Sequence, residues 1–116
     1  MKIVFTALGD DLNAPLDSRF GRAQKFLVYS LESKTFNVVD NQENLNADQG
    51  AGIQSAETVA RLGATVVVTG HSGPKAFRVL AAAGIKVYHS DAPTVAEALE
   101  QYLSGKLTEA KTADVG

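Results

Sequence analysis

Residues 64–76 read ATVVVTGHSGPKA, and this stretch decides the fold. The β-branched run over residues 64–69 is typical of a buried parallel strand. The glycines that follow, Gly70 and Gly73, let backbone N–H groups approach a ligand closely, and Pro74 suits the first position of a helix. Because a strand that turns into a helix N-terminus directs unpaired amides toward one place, the stretch predicts an anion-binding turn.

The composition is that of one domain of ordinary size. The 116 residues are 45% hydrophobic and 21% charged, and the formal net charge is -2. This charge gives no general attraction to nucleic acid or to anionic lipid, so an anion site must be local. Since the chain has no cysteine, a bound metal must be held by histidine, oxygen or charge, or must bring its own ligands.

The opening residues are not expected to form a membrane span or an export signal. Residues 1–8 are apolar but lack a basic region and are too short to span a bilayer. We therefore expect a cytoplasmic protein. We also expect a single domain over residues 1–105 and a flexible tail over residues 106–116.

Five β-rich runs predict the strands of one sheet. The second and third runs are separated by three polar residues, which is typical of an antiparallel hairpin. The last two runs each follow a helical segment that ends on glycine, at Gly63 and Gly84, and this order is typical of parallel βα units. The predicted strands cover residues 2–8, 26–31, 35–40, 64–69 and 85–88. The sequence thus predicts an α/β fold with a mixed sheet of about five strands.

Three segments with the period of a helix alternate with the later strands. The third segment begins with Thr94 and Glu97, which form a capping-box pair. The apolar positions of the three segments are, in order, Ile53, Ala56, Val59 and Ala60; Phe77, Leu80 and Ala81; and Val95, Ala98, Leu99 and Tyr102. Their spacing predicts that each helix buries one face.

A second candidate anion site lies in the turn over residues 17–23, DSRFGRA. Arg19 and Arg22 flank Phe20 and Gly21, so two planar guanidinium groups can bind a multiply charged anion while Phe20 shields it from water. The alternative is that Arg19 pairs with Asp17 at the surface, in an ion pair of little energetic value.

A third candidate lies before the first helix, where Gly50, Ala51 and Gly52 offer backbone amides between Gln49 and Ile53. The alternative is a flexible helix cap with no ligand. Neither this loop nor the turn at residues 70–76 matches a complete dinucleotide fingerprint or a Walker loop.

Both histidines of the chain follow a predicted parallel strand. His71 follows the valine-rich run and His89 follows Tyr88, so both imidazoles are expected at the same edge of the sheet. Imidazole can ligate copper, zinc or iron, and it can also hydrogen-bond an anion. The alternative is that each histidine is an ordinary surface or capping residue.

Three aspartates suggest an alternative function for the chain. Asp10, Asp11 and Asp17 follow the first strand and can bind a hard divalent cation, which suggests a metal-dependent phosphoester hydrolase. However, no serine–histidine–acid set and no catalytic pair of carboxylates is recognisable, so we do not predict an enzyme. A further alternative is a metal-free adaptor that binds a partner protein.

The three glycine and arginine motifs together resemble the nitrogenase iron-molybdenum cofactor biosynthesis and binding family. They read SRFGRA at residues 18–23, GAGIQ at 50–54 and VTGHSGPKAF at 68–77, in the family's order. The resemblance implies a ribonuclease H-like fold of three layers and a small non-catalytic carrier or scaffold for molybdenum- or iron-sulfur clusters. The chain is most similar to the orange proteins of sulfate-reducing bacteria, a subgroup that holds a molybdenum-copper sulfide cluster non-covalently.

The resemblance and the residues together imply a binding mode for such a cluster. Positive charge comes from Arg19, Arg22 and Lys75, hydrogen bonds come from the amides of residues 50–52 and 72–73, and Phe20 and Ile53 exclude water. His71 is a candidate copper ligand. The predicted cofactor-binding residues are Arg19, Phe20, Gly21, Arg22, Gln49, Gly50, Ala51, Gly52, Ile53, Gly70, His71, Ser72, Gly73, Lys75 and His89.

The resemblance also bears on partners and on one departure from the family. Many relatives have a histidine where this chain has Gln49, which shifts the weight of metal ligation toward His71 and His89. The implied partners are the cluster itself and a recipient or assembly protein, and a homodimer bridged by the cluster is a candidate assembly. Nucleic acid and membranes are not expected partners.

Overall fold

A mixed five-stranded sheet organises the computed structural model, which describes residues 1–41 and 50–111. The strands are β1 (Lys2–Ala7), β2 (Lys25–Ser30), β3 (Thr35–Asp40), β4 (Val66–Thr69) and β5 (Lys86–His89). Their order across the sheet is β3-β2-β1-β4-β5. β1 pairs antiparallel with β2 and parallel with β4, while β5 pairs parallel with β4. The predicted mixed sheet with its hairpin and parallel units is therefore confirmed.

Three helices of the described residues cover the two faces of this sheet. They are α1 (Ala51–Arg61), α2 (Pro74–Ala82) and α3 (Val95–Leu103). α1 and α2 pack on one face, where Val59 and Leu80 are fully buried against Phe26. α3 packs on the other face against Phe5 and Val68. The alternation of strand side chains between the two cores gives the three predicted layers, while the ribonuclease H-like assignment stays a prediction.

Two helix faces differ in detail from the predicted ones. Ile53 is 37% exposed rather than buried, while Ala56 and Val59 of the same helix are buried. In α2, Ala76 is buried and Ala81 is exposed. Ala76 lies against Gly52 of α1, since a Cβ added at Gly52 would lie 3.4 Å from the Ala76 side chain. The buried residues of α2 are therefore Ala76 and Leu80, and Ala81 is not among them.

The segment after α3 returns along the sheet edge. The amide of Ala110 donates to the carbonyl of Val87 at 2.8 Å, and Glu109 forms an isolated bridge with Tyr88. The flexibility predicted from residue 106 onward stays a prediction, and residues 112–116 lie outside the described part of the chain. Within the described residues, no helix is long and apolar enough to cross a membrane.

Candidate functional site

The turn over residues 17–23, here called the arginine turn, and the turn over residues 70–76, the glycine turn, lie side by side at the carboxyl end of β4. Arg19 and His71 form a parallel bridge, and the amide of Phe20 donates to the carbonyl of His71 at 2.9 Å. The approach is close, because a Cβ at Gly70 would lie 2.7 Å from the Cα of Ser18. Gly70 therefore allows these two turns to pack closely, because it has no side chain.

The start of α1 joins the same place. A Cβ at Gly21 would lie 2.8 Å from the Cα of Gly52, so the arginine turn also packs directly against the α1 backbone. Three segments that are distant in the sequence thus meet at one edge of the sheet. This is the edge at which open α/β sheets bind ligands.

A cleft of about 340 Å³ opens where the three segments meet. It is lined by Arg19, Phe20, Gly21, Arg22, Gly50, Ala51, Gly52, Ile53, His71, Ser72, Gly73 and Lys75. Each of these residues is predicted from the sequence to bind the cofactor, and the structure places them around one cleft. Gly70 and His89 line a neighbouring cleft instead, and Gln49 lies outside the described residues. That these residues bind a ligand stays a prediction.

The charge of this cleft is positive. Arg19, Arg22 and Lys75 are exposed in it, and its described lining contains no carboxylate. Neither Arg19 nor Lys75 forms an ion pair with any residue that the structure describes. The domain as a whole has a formal charge of -2, so the concentration of cations is local.

The alternative pairing of Arg19 with Asp17 is wrong. Asp17 is only 4% exposed, and its Oδ1 accepts the backbone amide of Arg19 at 3.0 Å, which shapes the turn and leaves the guanidinium outside. The other oxygen, Oδ2, is buried without a hydrogen-bond partner among the described residues. The burial of Asp17 differs from the solvent-exposed loop carboxylate that its polar turn predicts.

Two helices begin at the cleft with glycine as the N-cap residue, which has no side chain to accept a hydrogen bond from the first turn. The residue before α1 is Gly50, with φ 77°, and the residue before α2 is Gly73, with φ 76°. Neither helix has an acidic residue in its first turn. In contrast, α3 begins away from the cleft, and its Thr94 Oγ1 accepts the amide of Glu97 at 3.2 Å. The positive ends of α1 and α2 therefore add to the charge of the cleft.

The apolar wall of the cleft comes from the first turn of α1. Ile53 is 37% exposed there, so its side chain gives the cleft an apolar surface instead of packing in the core. Phe20 also lines the cleft, but its ring is 1% exposed and packs on Phe26 at 5.6 Å between ring centres. Ile53 is thus the better placed of the two residues predicted to exclude water.

A buried polar network that the sequence did not reveal supports the arginine turn. The Nδ2 of Asn41 donates to the carbonyl of Ala23 at 2.8 Å and lies 3.2 Å from the Oγ of Ser55. The same Oγ lies 3.4 Å from the carbonyl of Gly21. These groups join the end of β3, the turn and α1. No local pattern marks them, because the partners are far apart in the chain.

Both histidines lie at one edge of the sheet, as predicted. His71 follows β4, and His89 is the last residue of β5 rather than the residue after it. Their ring centres are 6.4 Å apart. The Nε2 of His89 lies 3.1 Å from the Oγ of Ser72, which is buried.

The three aspartates of the hydrolase hypothesis do not form a cation site. Asp10 pairs with Lys25, and Asp11 accepts the amide of Asn13 at 2.9 Å. Asp17 is buried, as described above. Among the described residues, no group of three or more histidine, aspartate or glutamate side chains is placed to hold a metal ion. This geometry gives the hydrolase hypothesis no support.

Comparison with known families agrees with the motifs and with the fold. The profile of the family described as dinitrogenase iron-molybdenum cofactor matches residues 1–105. The chain belongs to this family. The family resemblance drawn from the three motifs is therefore confirmed.

Individual relatives extend this family relationship. The chain is 39% identical to the apo form of the orange protein from Desulfovibrio gigas, with a TM-score of 0.94 and coverage of 97% of this chain and 95% of that one. A NifB-like protein of Thermotoga solved by NMR is 31% identical, with a TM-score of 0.86 and coverage of 99% and 98%. An uncharacterized protein of Methanocaldococcus jannaschii is 32% identical over 110 residues, 92% of each chain. Each of these relatives matches the chain over more than nine tenths of its length.

Proposed function

We propose that this member of the dinitrogenase iron-molybdenum cofactor family is a non-catalytic carrier or scaffold for an anionic molybdenum-containing metal-sulfur cluster, such as a molybdenum-copper sulfide. One observation carries the proposal. Arg19, Arg22 and Lys75 converge with the N-termini of α1 and α2 on one cleft whose described lining has no carboxylate.

The donor set of the cleft fits a cluster that brings its own sulfide. The chain has no cysteine, so it supplies no thiolate to a metal. Amides at helix N-termini and guanidinium groups instead suit the outer surface of an anion. The volume of about 340 Å³ is in the range of small-ligand sites. The cluster is therefore bound as cargo, by charge and hydrogen bonds.

Each part of the cleft has a role in this binding. Arg19 and Arg22 bind the anion from the turn, and Lys75 binds it from the first turn of α2. The amides of Gly50 to Gly52 donate from α1, and Ile53 limits the access of water. His71 either ligates copper or hydrogen-bonds a sulfide. Exclusion of water slows hydrolysis of the cluster, which is a reason for a carrier to exist.

Reconstitution with tetrathiomolybdate and copper tests the proposal. The apoprotein is mixed with both, desalted and examined by visible spectroscopy and metal analysis. We expect the wild type to retain colour at a fixed ratio of metal to protein. The Arg19→Ala/Arg22→Ala variant should bind about 10- to 100-fold more weakly for each lost hydrogen bond to a charged group.

The matched control removes the same charge elsewhere. Arg61 and Arg78 are exposed on α1 and α2 but do not line the cleft. The Arg61→Ala/Arg78→Ala variant should therefore retain the colour. Equal retention by all three proteins, or equal loss from both variants, would contradict binding in this cleft.

The proposal includes the setting in which a carrier works. A recipient or assembly protein must deliver or accept the cluster, and we assign both steps to the cytoplasm. A homodimer bridged by the cluster is a form of the same proposal, since the cleft opens to solvent. Sedimentation before and after reconstitution distinguishes a monomeric carrier from a bridged dimer.

A further inference from the structure

A second cleft lies beyond the carboxyl ends of β4 and β5, beside the cleft that the arginines line. Its volume is about 730 Å³, which is in the range of small-ligand sites. Its described lining contains one exposed carboxylate, that of Asp91, and one exposed ammonium group, that of Lys106. We propose that this cleft binds a small zwitterion, a molecule with one carboxylate and one ammonium group such as an amino acid or a short peptide.

The second cleft presents two charges of opposite sign to a ligand. Neither Asp91 nor Lys106 forms an ion pair with any residue that the structure describes. A ligand with a single charge gains one ion pair here and meets one repulsion, whereas a zwitterion can pair with both groups. The cleft that the arginines line instead presents two arginines and a lysine, with no carboxylate in its described lining. The two clefts therefore suit ligands of different charge.

A buried hydroxyl group orients a third polar side chain of the second cleft. Ser90 is 7% exposed, and its Oγ donates to Oε1 of Gln101 at 2.7 Å and accepts the amide of Ala92 at 3.0 Å. Because the oxygen of the Gln101 carboxamide is used in this way, its Nε2 is the atom that can donate to a ligand. The amide of Lys106 donates to the carbonyl of Gln101 at 2.9 Å, so these two residues are neighbours. Lys106 and Gln101 therefore form the side of the cleft that binds a carboxylate, and Asp91 forms the side that binds an ammonium group.

Two leucines give the second cleft an apolar surface, and main-chain contacts hold both of them. Leu107 lies in the segment after α3, which the hydrogen bond of 2.8 Å from the amide of Ala110 to the carbonyl of Val87 holds against β5. The amide of Leu16 donates to the carbonyl of Pro93 at 3.3 Å. Both leucines are half-buried and line the cleft. This surface suits a zwitterion with an aliphatic side chain.

Titration of the full chain with free leucine, followed by the NMR signals of the backbone amides, tests this site. Two analogues that each lack one charge are the ligand controls: leucinamide has no carboxylate, and N-acetylleucine has no ammonium group. We expect leucine to shift the signals of residues 90–92 and 101–107. Each analogue should bind about 10-fold more weakly, because it loses a hydrogen bond between charged groups. Leucyl-leucine distinguishes the two sources of this chemistry, since tighter binding than leucine indicates a peptide and weaker binding indicates a free amino acid.

Two charge-removing variants test the residues themselves. Asp91→Asn and Lys106→Gln should each weaken leucine binding by about 10-fold. Asp91→Asn should also bind N-acetylleucine more tightly than the wild type does, because it no longer repels that carboxylate, and Lys106→Gln should bind leucinamide more tightly for the same reason. The matched control is Lys86→Gln/Glu100→Gln, which removes one charge of each sign at exposed residues outside the cleft and should keep the wild-type affinity for leucine.

Three outcomes would overturn the inference. They are equal affinity of the wild type for leucine and for either analogue, unchanged leucine binding in both Asp91→Asn and Lys106→Gln, and no signal shift with leucine or leucyl-leucine up to about 10 mM. The inference is independent of the proposed function, because neither Asp91 nor Lys106 lines the cleft of the arginines. A wild type that retains thiomolybdate but binds no zwitterion would overturn the second site and leave the proposed function standing.

Discussion

The backbone amide of Phe20 and the backbone carbonyl of His71 are joined by a hydrogen bond of 2.9 Å. This bond ties the arginine turn to the glycine turn through main-chain atoms. The guanidinium groups of Arg19 and Arg22 take no part in it. Substitution of either arginine should therefore change the charge of the cleft and leave this main-chain bond intact, which is what a binding test requires.

The close approach at Gly70 predicts a steric effect on stability. A Cβ there would lie 2.7 Å from both the Cα and the carbonyl oxygen of Ser18. Because backbone must move to relieve this clash, Gly70→Ala should lower the free energy of unfolding by about 1–3 kcal/mol. Denaturation in guanidinium chloride measures the change.

Gly52→Ala is the matched control for Gly70. Its added Cβ would lie 3.4 Å from the Ala76 side chain, which is ordinary contact. Since alanine is favoured over glycine in a helix by roughly 0.5–1 kcal/mol, Gly52→Ala should be at least as stable as the wild type. A Gly70→Ala protein as stable as the Gly52→Ala protein would show that the turns are not closely packed.

The Asn41 network predicts an effect on both stability and binding. Asn41→Ala removes the donor to the Ala23 carbonyl and leaves that buried group unsatisfied. We expect a loss of about 1–3 kcal/mol in the free energy of unfolding, together with weaker cluster retention, because the arginine turn loses its support. Asn37→Ala on the exposed edge of β3 should change neither quantity. Equal behaviour of the two variants would contradict a supporting role for Asn41.

The capped helix provides a test that separates stability from binding. Thr94 caps α3, which lies on the sheet face opposite α1 and α2. Thr94→Ala should cost about 1 kcal/mol of stability and leave the affinity for thiomolybdate unchanged, while Thr94→Ser should retain both. Thermal unfolding and the desalting assay provide the two measurements. Loss of affinity in Thr94→Ala would mean that α3 contributes to the cleft.

Ionic strength should distinguish charge from shape in the cleft. Added salt screens the interactions of exposed charges, with a screening length of about 10 Å at 0.1 M that shortens at higher salt, so thiomolybdate affinity should fall as salt is added. The Arg19→Ala/Arg22→Ala protein should show a shallower dependence of log Kd on log salt than the wild type. The Arg61→Ala/Arg78→Ala protein should keep the wild-type slope. Parallel slopes in all three proteins would indicate that the arginines do not contact the anion.

The raised pKa of Tyr102 predicts that the free energy of unfolding falls at high pH. Burial, and secondarily the nearby Tyr88, raise the pKa of Tyr102 above its ordinary value, and the two rings pack edge to face at 5.1 Å between centres. The unfolded chain therefore releases this proton at lower pH than the native protein does. The free energy of unfolding should fall as the pH rises through about 10. In Tyr102→Phe the decline should be shallower, which urea denaturation across this pH range measures. An unchanged decline in this variant would show that Tyr102 is not the group responsible.

Local patterns in the sequence predict the strands, the helices and the edge at which the cleft lies. The valine run, the glycine stops after α1 and α2 and the Thr94 cap all act between neighbouring residues, so each can be read without the fold. The meeting of residues 19–22 with residues 50–53 follows from where strands of a mixed sheet must end. Tertiary packing determines three other features: the pairing of Asn41 with Ser55, the burial of Asp17 and the burial of Ala76 in α2. No local pattern carries that information.

The glycines at the start of α1 and of α2 affect both the uptake and the release of a metal-sulfur cluster. Glycine itself has no side chain that could cover the first turn of either helix, so the donors at Gly50 and Gly73 are main-chain atoms. An acceptor that offers thiolates can form bonds to the metal that this chain cannot form, so transfer would proceed by ligand exchange and would not need a conformational trigger.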